Sequence, residues 1–485
     1  MNDYVALLPL LILAYFATLL MLLVAFVRSH AFAFWATLIG LAAALVSIGL
    51  TRPTGPSGPT PLLRIDAFSL YFTGLIIAGA FLVTLYSRDY LEAHERSNSA
   101  FYVLLMLAVL GMGVVASSAH FASFFLGLET LSVSLFGLIG YTRDHRPSLE
   151  ASLKYLVISA AATAFLLFGI ALMYADAGTM DFRRLGFLIS LDRLSILSFF
   201  GLAMVLVVFG FKLAIAPFHM WSPDVYQGAP SPVTALIATG SKGAVLALLL
   251  RFITTGSLQA NDSIALTITI LAIATMFAGN LLALLQANIK RLLAYSSIAH
   301  MGYLLIPLLA GGINGPSSIA FYLTTYFATT IAAFGVIAVL SGSPLRITNH
   351  SSRLDLDDLQ DYRGLASRHP LLAAVFALAL LSLTGIPPTA GFIAKFYIFS
   401  AAAQSGLWTL LIIGVINSGI SAFYYLRLLV AMYTPNPQTP KLPHPHTSLA
   451  SAVSLAITTA VILIFGVYPS PLINLVQAAT SRLAF

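Results

Sequence analysis

The stretch FGFKLAIAPFHMWSPDVYQGAPSPVTALIATGSK, residues 209–242, places Lys212, His219 and Lys242 inside a long apolar region of the sequence. An ammonium group at membrane depth costs at least about 2.5 kcal/mol on insertion scales, so each lysine there needs a wet cavity, a counter-charge or the loss of its proton. Pro217 follows Lys212 by five residues and breaks the helix, because proline has no backbone N–H. Broken helices at membrane depth must be buried in protein or line a cavity. The stretch therefore predicts an ion path inside a helix bundle.

The composition of the whole chain is that of a polytopic membrane protein. Of its 485 residues, 59% are hydrophobic and 8% are charged, whereas a soluble domain carries about 25% charged residues. The formal charge of +7 fits the lysine and arginine excess of cytoplasmic loops and does not indicate nucleic-acid binding. Cysteine is absent, which excludes thiolate zinc sites and cysteine-ligated iron–sulfur clusters within the chain. The first apolar run, Val5–Val27, lacks a basic n-region, so we expect a retained helix rather than a signal peptide.

The distribution of apolar runs predicts an all-α fold in a single integral membrane domain, residues 1–485. With roughly 20 apolar residues needed per crossing, we count about fourteen spans. The seventh, near Ile196–Tyr226, and the twelfth, near Leu371–Ala403, are interrupted by prolines and are predicted to be broken. They lie five helices apart and so cross the membrane in opposite directions, as inverted repeats do. We expect five-helix repeats over approximately 101–254 and 263–433, with flanking helices in 5–86 and 449–468.

The positive charges of the loops predict the orientation of the chain. One set of alternate loops, which includes Arg143 and Arg291, is richer in lysine and arginine than the other. Positive loops face the cytoplasm, so we place both termini in the periplasm of a bacterium, with the spans in its inner membrane. Arg251 belongs to the poorer set and lies near a helix end, where it can snorkel to the interface. The loop Ser341–Pro370, which contains Asp355 and Asp357, is expected to be a solvated cytoplasmic connection or a partner contact.

Three of the lysines are predicted to be internal, namely Lys212, Lys242 and Lys395. Lys242 lies 12 residues past Pro230, or roughly 18 Å at 1.5 Å per residue, which is near mid-membrane. Lysine suits proton handling because burial can neutralise it, whereas arginine stays charged. The alternative is that each lysine forms a static ion pair that holds helices together.

The other lysines are expected nearer the membrane surface. Lys154 opens the sixth span and is either internal or interfacial. Lys290 stands beside Arg291 at the start of a helix, and Lys441 lies in a loop.

Glu129, in FLGLETLSVSLFGLIGY, is the only acidic residue well inside a predicted span. Its pairing with Lys212, if it switches between neighbours, would change the proton affinity of the lysine; the alternative is a permanent structural pair. Histidine can shuttle protons, and His219 follows the proline break while His300 lies within the tenth span, in SSIAHMGYLL. For each histidine, the alternative is a hydrogen-bonded core residue.

The motifs LGLETLS, GFKLAIAPFHMWSPDVYQGAPSPVTALIATGSK, NIKRLLAYSSIAHMGYLL and LTGIPPTAGFIAKFY resemble those of the antiporter-like membrane subunits of bacterial NADH-quinone oxidoreductase, respiratory complex I. The resemblance covers essentially the whole chain. Lys395, in PPTAGFIAKF, resembles the subunit N type, whereas the sister subunit M carries a glutamate in the twelfth span. The sister subunit L is longer and has an additional lateral helix that this chain is too short to hold.

The resemblance implies a proton-translocating subunit that couples quinone reduction in other subunits to proton transfer along a buried axis. The positions that it matches are Glu129, Lys212, Lys242, Lys395, His219, His300 and Lys154. It implies no cofactor in this chain, with FMN, iron–sulfur clusters and quinone in other subunits. The implied partners are the neighbouring subunit M, small membrane-arm subunits and the lipid bilayer. Two alternatives remain open: a subunit of a multi-subunit cation/proton antiporter, and a structural spacer whose buried charges only fix helix packing.

Overall fold

A computed structural model describes residues 3–51, 60–94, 99–190, 195–256, 258–311, 314–342, 354–435, 447–481 and 483. Most of these residues are helical, and the only β-pairing among them is a few isolated bridges. Thirteen helices in the described ranges are long and apolar enough to cross a membrane. Two shorter helices on either side of a proline break supply a fourteenth span. The prediction of an all-α polytopic membrane protein is confirmed.

The helices, in chain order, are α1 (Asp3–Ala6), α2 (Leu8–Phe26), α3 (His30–Leu50), α4 (Ala67–His94), α5 (Ser99–Ser117), α6 (Phe121–Ile139), α7 (Arg146–Ala177), α8 (Phe182–Ser190), α9 (Ile196–Leu213), α10 (Trp221–Gly228), α11 (Ser231–Leu236), α12 (Lys242–Thr255), α13 (Asp262–Leu284), α14 (Ile289–Leu309), α15 (Asn314–Ser341), α16 (Leu365–Arg368), α17 (Pro370–Thr384), α18 (Ala390–Gln404), α19 (Trp408–Tyr433), α20 (Leu449–Val467) and α21 (Ser470–Thr480). A π-helical turn, Ile237–Ser241, joins α11 to α12 in one span. Short 3₁₀ turns cover Leu258–Ala260 and Leu359–Tyr362.

Both predicted breaks occur, and each follows a residue with left-handed backbone. Helix α9 ends at Leu213, and Ala214 then adopts φ 57° before Pro217 and the start of α10. Helix α17 ends at Thr384, and Gly385 adopts φ 86° before two prolines and α18. A proline cannot donate the next helical hydrogen bond, so neither helix continues through its break. The division into inverted repeats over 101–254 and 263–433 remains a prediction.

The centre of the bundle is formed by three spans. The apolar window of the α11–α12 span is entirely buried, and those of α14 and α15 are 94% buried, whereas the windows of α2 and α20 are 28% buried. Helices α11, α12, α14 and α15 are therefore surrounded by protein, and the first and last spans lie at the periphery. The central spans carry Lys242, His300 and several tyrosines, so their polar side chains face protein rather than lipid.

Helix α9 packs closely against α7, and this contact positions Lys212. The closest approach is at a pair of glycines, where a Cβ added to Gly201 would lie 2.6 Å from the Gly169 carbonyl oxygen. Small residues at such crossings allow two membrane helices to approach backbone to backbone. The approach brings the end of α9 against the face of α7 that carries Tyr155 and Ser159.

The two ends of the bundle have different loop structures. At the end that we call the Lys290 end, the α10–α11 junction meets the start of α14, because Lys290 Nζ donates to the Ala229 carbonyl at 2.6 Å. At the opposite end, called the Arg251 end, Arg251 near the end of α12 binds Asp66 just before α4. Arg251 lies near a helix end, as expected, but it is 2% exposed. The Asp66 carboxylate, rather than interfacial water, compensates its charge.

Candidate functional site

Lys212 lies in the last turn of α9 and is 3% exposed. Its Nζ donates to Ser132 Oγ at 2.7 Å on α6, and to Ser159 Oγ at 3.0 Å and Tyr155 OH at 3.2 Å on α7. The ammonium also lies 5.1 Å from the Tyr155 ring centroid and 5.2 Å from that of Phe211. Hydroxyl groups and aromatic faces therefore solvate this charge, rather than a carboxylate in direct contact.

Glu129 lies on α6, three residues before Ser132, and is half-buried. Its carboxylate accepts a hydrogen bond from Thr163 Oγ1 on α7 at 2.7 Å. The carboxylate attracts the Lys212 ammonium electrostatically, but Lys212 donates to Ser132 and not to Glu129. The structure thus places the two charges against the same two helices without direct contact. That the pair switches between neighbours stays a prediction.

Lys242 is the first residue of α12, directly after the π-helical turn, and it is fully buried. Its Nζ donates to Ser297 Oγ on α14 at 2.7 Å and lies 5.5 Å from the Tyr226 ring centroid on α10. Ser297 Oγ also accepts from Tyr326 OH on α15 at 2.8 Å and lies 3.3 Å from Tyr226 OH. One serine hydroxyl therefore joins the central lysine to two tyrosines from different helices.

His300 continues this network one turn further along α14 and is 4% exposed. Its Nδ1 lies 2.5 Å from Tyr322 OH and its Nε2 lies 3.2 Å from Tyr425 OH. The His300 ring centroid is 5.3 Å from that of Tyr326, which binds Ser297. Both ring nitrogens are thus occupied by hydroxyl groups, which can donate or accept according to the protonation state of the ring.

Lys395 lies on α18, next to the second break, and is 6% exposed. Its Nζ donates to the Thr384 carbonyl at 2.7 Å and to Ser418 Oγ on α19 at 2.9 Å, and it lies 5.3 Å from the Tyr303 ring centroid. A cavity of about 10 Å³ touches both Lys395 and His300. That volume is close to the minimum that holds one water molecule. The structure therefore brings Lys242, His300 and Lys395 into one polar region.

Lys154 and His219 lie apart from that region. Lys154 is 44% exposed at the Lys290 end, where its Nζ lies 2.8 Å from both Glu150 and Asp224. Asp224 also binds Arg291 at 2.7 Å, so Lys154 belongs to a surface charge cluster. His219 is 8% exposed, and neither of its ring nitrogens has a hydrogen-bond partner among the described residues. The structure therefore joins neither residue to the internal lysines.

Lys290 and Asp355 form a buried ion pair that the sequence did not predict. Lys290 is fully buried, and its Nζ lies 2.6 Å from Asp355 Oδ2, which also accepts from Ser231 Oγ at 2.8 Å. Burial by itself raises the pKa of Asp355, but the adjacent ammonium outweighs burial and lowers that pKa below its usual value. Lys290 does lie at the start of a helix, as expected, but the expectation that it lies nearer the membrane surface than the internal lysines was wrong, because it is fully buried.

The expectation of a solvated loop after α15 was also wrong for Asp355 and Asp357, which are 3% and 7% exposed. The segment folds back on the residues before α14, because the Ile289 amide donates to the Asp357 carbonyl at 2.6 Å and the Leu359 amide to the Ala287 carbonyl at 3.0 Å. Residues 343–353 of the same loop lie outside the described residues.

A second group that the sequence analysis missed surrounds Tyr303. Asn280 Nδ2 on α13 donates to Tyr303 OH and to Asn417 Oδ1 at 3.1 Å each, and Tyr424 OH donates to Asn280 Oδ1 at 3.1 Å. These amides orient the ring that faces Lys395. The sequence did contain a signal, because Asn280 and Asn417 each stand within a largely apolar span, and polar groups inside membranes usually serve a function. Both asparagines are fully buried in the structure.

The fold and the site together define a multi-pass membrane protein with two broken spans and with buried lysines and a buried histidine that bind hydroxyl groups. Residues 118–421 match the family model described as "NADH:quinone oxidoreductase/Mrp antiporter, TM", and the chain belongs to this family. It is a proton-translocating, antiporter-like membrane subunit of the complex I or Mrp type.

Solved structures agree with this assignment. A chain of respiratory complex I from Thermus thermophilus with bound aureothin is 35% identical, with a TM-score of 0.80, over 96% of this chain and 98% of that one. A chain of the archaeal membrane-bound sulfane sulfur reductase is 24% identical, with a TM-score of 0.85, over 99% and 98%. A chain of the Mrp complex from Dietzia sp. DQ12-45-1b is 20% identical, with a TM-score of 0.86, over 99% and 98%. The last two likenesses show the fold.

Proposed function

We propose that the chain is subunit N of NADH-quinone oxidoreductase, respiratory complex I, and that it transfers protons while other subunits reduce quinone. The observation that carries the proposal is the environment of the three internal lysines. Lys212, Lys242 and Lys395 each bind hydroxyl or carbonyl oxygens and face an aromatic ring. A lysine that only held helices together would be expected to form an ion pair with a buried carboxylate, as Lys290 does.

The proton path that we propose runs from Lys242 to Lys395. In the structure Lys242 and Tyr326 both donate to Ser297 Oγ, so the path begins with a rotation of the Tyr326 and Ser297 hydroxyls that reverses the hydrogen bond between them. The Lys242 ammonium then gives a proton to the Ser297 hydroxyl as that hydroxyl passes its own proton to Tyr326. Tyr326, His300 and Lys395 line one cavity, so a water there takes the proton that Tyr326 releases and passes it to Lys395, with the His300 ring beside it as a further acceptor. Each hydroxyl accepts one proton and releases another, so none of them carries a lasting charge.

Between Glu129, Lys212 and Lys242, the proposed coupling is electrostatic and involves no proton transfer along hydrogen bonds. Movement of the Glu129 carboxylate towards or away from Lys212 changes the charge that Lys212 holds, and Lys212 in turn acts on Lys242. We propose Lys154 for proton uptake at the surface, because it lies in the exposed cluster with Asp224 and Arg291. We also propose His219 as a proton-relay residue at the break. Its ring is buried there, and its nitrogens have no hydrogen-bond partner among the described residues.

The subunit assignment rests on Lys395 in the twelfth span and on the complex I relative. It places FMN, iron–sulfur clusters and quinone in other subunits. The partners would be subunit M and small membrane-arm subunits. The proposed orientation has the Lys290 end in the cytoplasm of a bacterial inner membrane and both termini in the periplasm. A second candidate is a subunit of a multi-subunit cation/proton antiporter, which the same family and the Mrp fold match support.

Co-purification separates the two candidates. Tagged protein is isolated in mild detergent from its native membranes and assayed for NADH-dependent quinone reduction. We expect that activity and flavin-containing subunits to accompany the chain at constant ratio. Recovery with membrane subunits alone, together with cation-driven proton flux in vesicles, would establish the antiporter candidate instead.

Two lysine variants then test the proton path within the assembled complex. Lys242→Met removes a charge that has no carboxylate in contact, so we expect normal assembly and loss of proton pumping. Lys290→Met leaves Asp355 buried and unpaired, so we expect poor assembly. If Lys242→Met instead impairs assembly as Lys290→Met does, or pumps as wild type, the lysine serves packing and the proposed path is wrong.

A further inference from the structure

A cavity of about 250 Å³ opens at the Arg251 end of the bundle, and none of the internal lysines lines it. The polar side chains that line it include Arg64, Arg183, Arg251, Asp181, Thr60 and Thr255. Three guanidinium groups thus share one cavity wall. Nothing in the proton-transfer proposal uses this cavity.

The charges around the cavity do not cancel. Asp66 lies behind the wall, where its two carboxylate oxygens accept from Arg251 at 2.8 Å each, and Arg64 Nε lies 3.2 Å from the same carboxylate. Burial alone would raise the pKa of Asp66, but Arg251 lowers it to about 2, so this carboxylate is ionised. With Asp181 counted as well, three positive charges face two negative ones, which leaves an excess of one positive charge.

The arginines also crowd one another. Burial lowers the pKa of Arg64, Asp66 opposes that change, and the nearby charges of Arg251 and Arg183 lower the pKa further. An arginine does not lose its proton in a protein, so the repulsion persists as positive potential in the cavity. An anion placed between the three guanidinium groups would relieve it.

One buried donor at the cavity has no partner. Arg251 is 2% exposed, and its Nε has no hydrogen-bond partner among the described residues, although both terminal nitrogens bind Asp66. Buried polar groups are normally hydrogen-bonded. An unmatched guanidinium donor in a positively charged cavity is the arrangement expected of an anion site, since arginine binds phosphate oxygens well.

The cavity lies at the depth of lipid headgroups. Asp66 directly precedes α4, and Arg251 lies in the last turns of α12, so both mark the ends of membrane spans. Helix α8, which supplies Arg183, is amphipathic: Leu185 and Ile189 are 1% and 6% exposed, whereas Arg183 and Arg184 are exposed. Short amphipathic helices with basic residues lie in the membrane interface.

Backbone contacts hold α8 in this place. The Phe182 amide donates to the Ala119 carbonyl at 3.0 Å, and the Phe121 amide donates to the Met180 carbonyl at the same distance. These bonds fix the start of α8 against the start of α6. Arg183 therefore belongs to a helix whose start is held in place, and not to a free loop.

We propose that this cavity binds the phosphate group of an anionic phospholipid, held between Arg64, Arg183 and Arg251. A phosphodiester carries the negative charge that the cavity lacks, and it occupies the same depth in the membrane. The bound lipid ties α8 to the ends of α4 and α12.

The test compares two neighbouring arginines in the delipidated full-length chain in detergent. Both arginines are exposed on α8, but Arg183 lines the cavity and Arg184 does not. Binding of phosphatidylglycerol and of phosphatidylcholine is measured by native mass spectrometry for wild type, Arg183→Gln and Arg184→Gln. We expect Arg183→Gln to bind phosphatidylglycerol about tenfold more weakly, because one charge-assisted contact is lost. Arg184→Gln should bind as wild type does.

A third variant changes the charge in the opposite direction. Asp181 Oδ1 accepts from the Arg184 amide at 2.9 Å at the start of α8, and asparagine retains that oxygen, so Asp181→Asn should fold and bind phosphatidylglycerol more tightly. Equal binding by wild type, Arg183→Gln and Asp181→Asn would overturn the site. Competition by millimolar inorganic phosphate as effective as competition by the lipid would overturn the lipid assignment and leave a phosphate site.

Discussion

Lys242 and Ser297 are joined by a hydrogen bond of 2.7 Å between two fully protein-enclosed spans, and the serine hydroxyl is the only hydrogen-bond partner recorded for that ammonium among the described residues. Ser297 also accepts from Tyr326 and lies near Tyr226. This single hydroxyl therefore determines whether the central lysine is connected to the rest of the polar network.

Ser297→Ala should separate Lys242 from that network while preserving the fold. A hydrogen bond to a charged group contributes about 1.5–3 kcal/mol, so proton pumping is expected to fall about tenfold or more. Pumping by the assembled complex in vesicles is measured with a pH-sensitive dye. The control is Ser87→Ala, because Ser87 donates only to the Val83 carbonyl of its own helix. Equal pumping by both variants would contradict the role of Ser297.

Glu129→Gln tests the charge on α6 without removing its contact. The glutamine amide oxygen can still accept from Thr163, but the electrostatic attraction to Lys212 disappears. We expect assembly and quinone reduction to persist, with fewer protons pumped per quinone reduced. A wild-type ratio of protons to quinone in this variant would show that the carboxylate charge is not used.

Gly385→Ala should destabilise the second break and displace Lys395. Gly385 has φ 86°, and an added Cβ would lie 2.8 Å from Lys395 Cδ. Gly406→Ala is the matched control, because its φ is 72° and an added Cβ would meet nothing within 4 Å. Left-handed backbone alone costs about 1–3 kcal/mol, so both variants should melt at a lower temperature. Only Gly385→Ala should also lose pumping; loss in both variants would point to backbone strain alone.

The Lys290–Asp355 pair predicts a defined dependence of stability on pH. The folded-state pKa of Asp355 is lowered, so its stabilising contribution is complete above the ordinary aspartate pKa of about 3.9 and is lost as the pH falls below that value. At pH 7, Asp355→Asn should lower the free energy of unfolding by about 3–5 kcal/mol. The difference from wild type should shrink in acid.

A double variant checks the same pair independently. Lys290→Met with Asp355→Leu removes both buried charges, so it should be more stable than either single variant. Thermal unfolding of the three purified proteins provides the measurement. Additive losses in the double variant would mean that the two side chains do not interact.

The sequence predicted the features that depend on local chemistry. The prolines after Lys212 and before Lys395 were sufficient to locate both breaks, because proline acts on its own helix. The burial of Lys242 followed from its distance from the helix start. These inferences needed no knowledge of how the helices pack.

The features that depend on packing were not predictable in the same way. Lys290 stands beside Arg291 and was assigned to the interface, because nothing in the sequence indicates that Asp355 folds back over it. The junction at Ser297 combines side chains from α10, α12, α14 and α15. Serine inside membrane helices often bonds to its own backbone, so the presence of Ser297 in the sequence did not by itself predict a network.

The neutral surroundings of the internal lysines have a consequence for how protons would move along the proposed path. Since hydroxyls, a carbonyl and aromatic faces hold Lys242 and Lys395, the charge of this stretch equals the number of protons that it carries. Like charges in a poorly polarisable interior repel over long distances. On the proposed path, a second proton that enters this region would therefore repel the first towards the exit, so that proton occupancy itself would drive proton release.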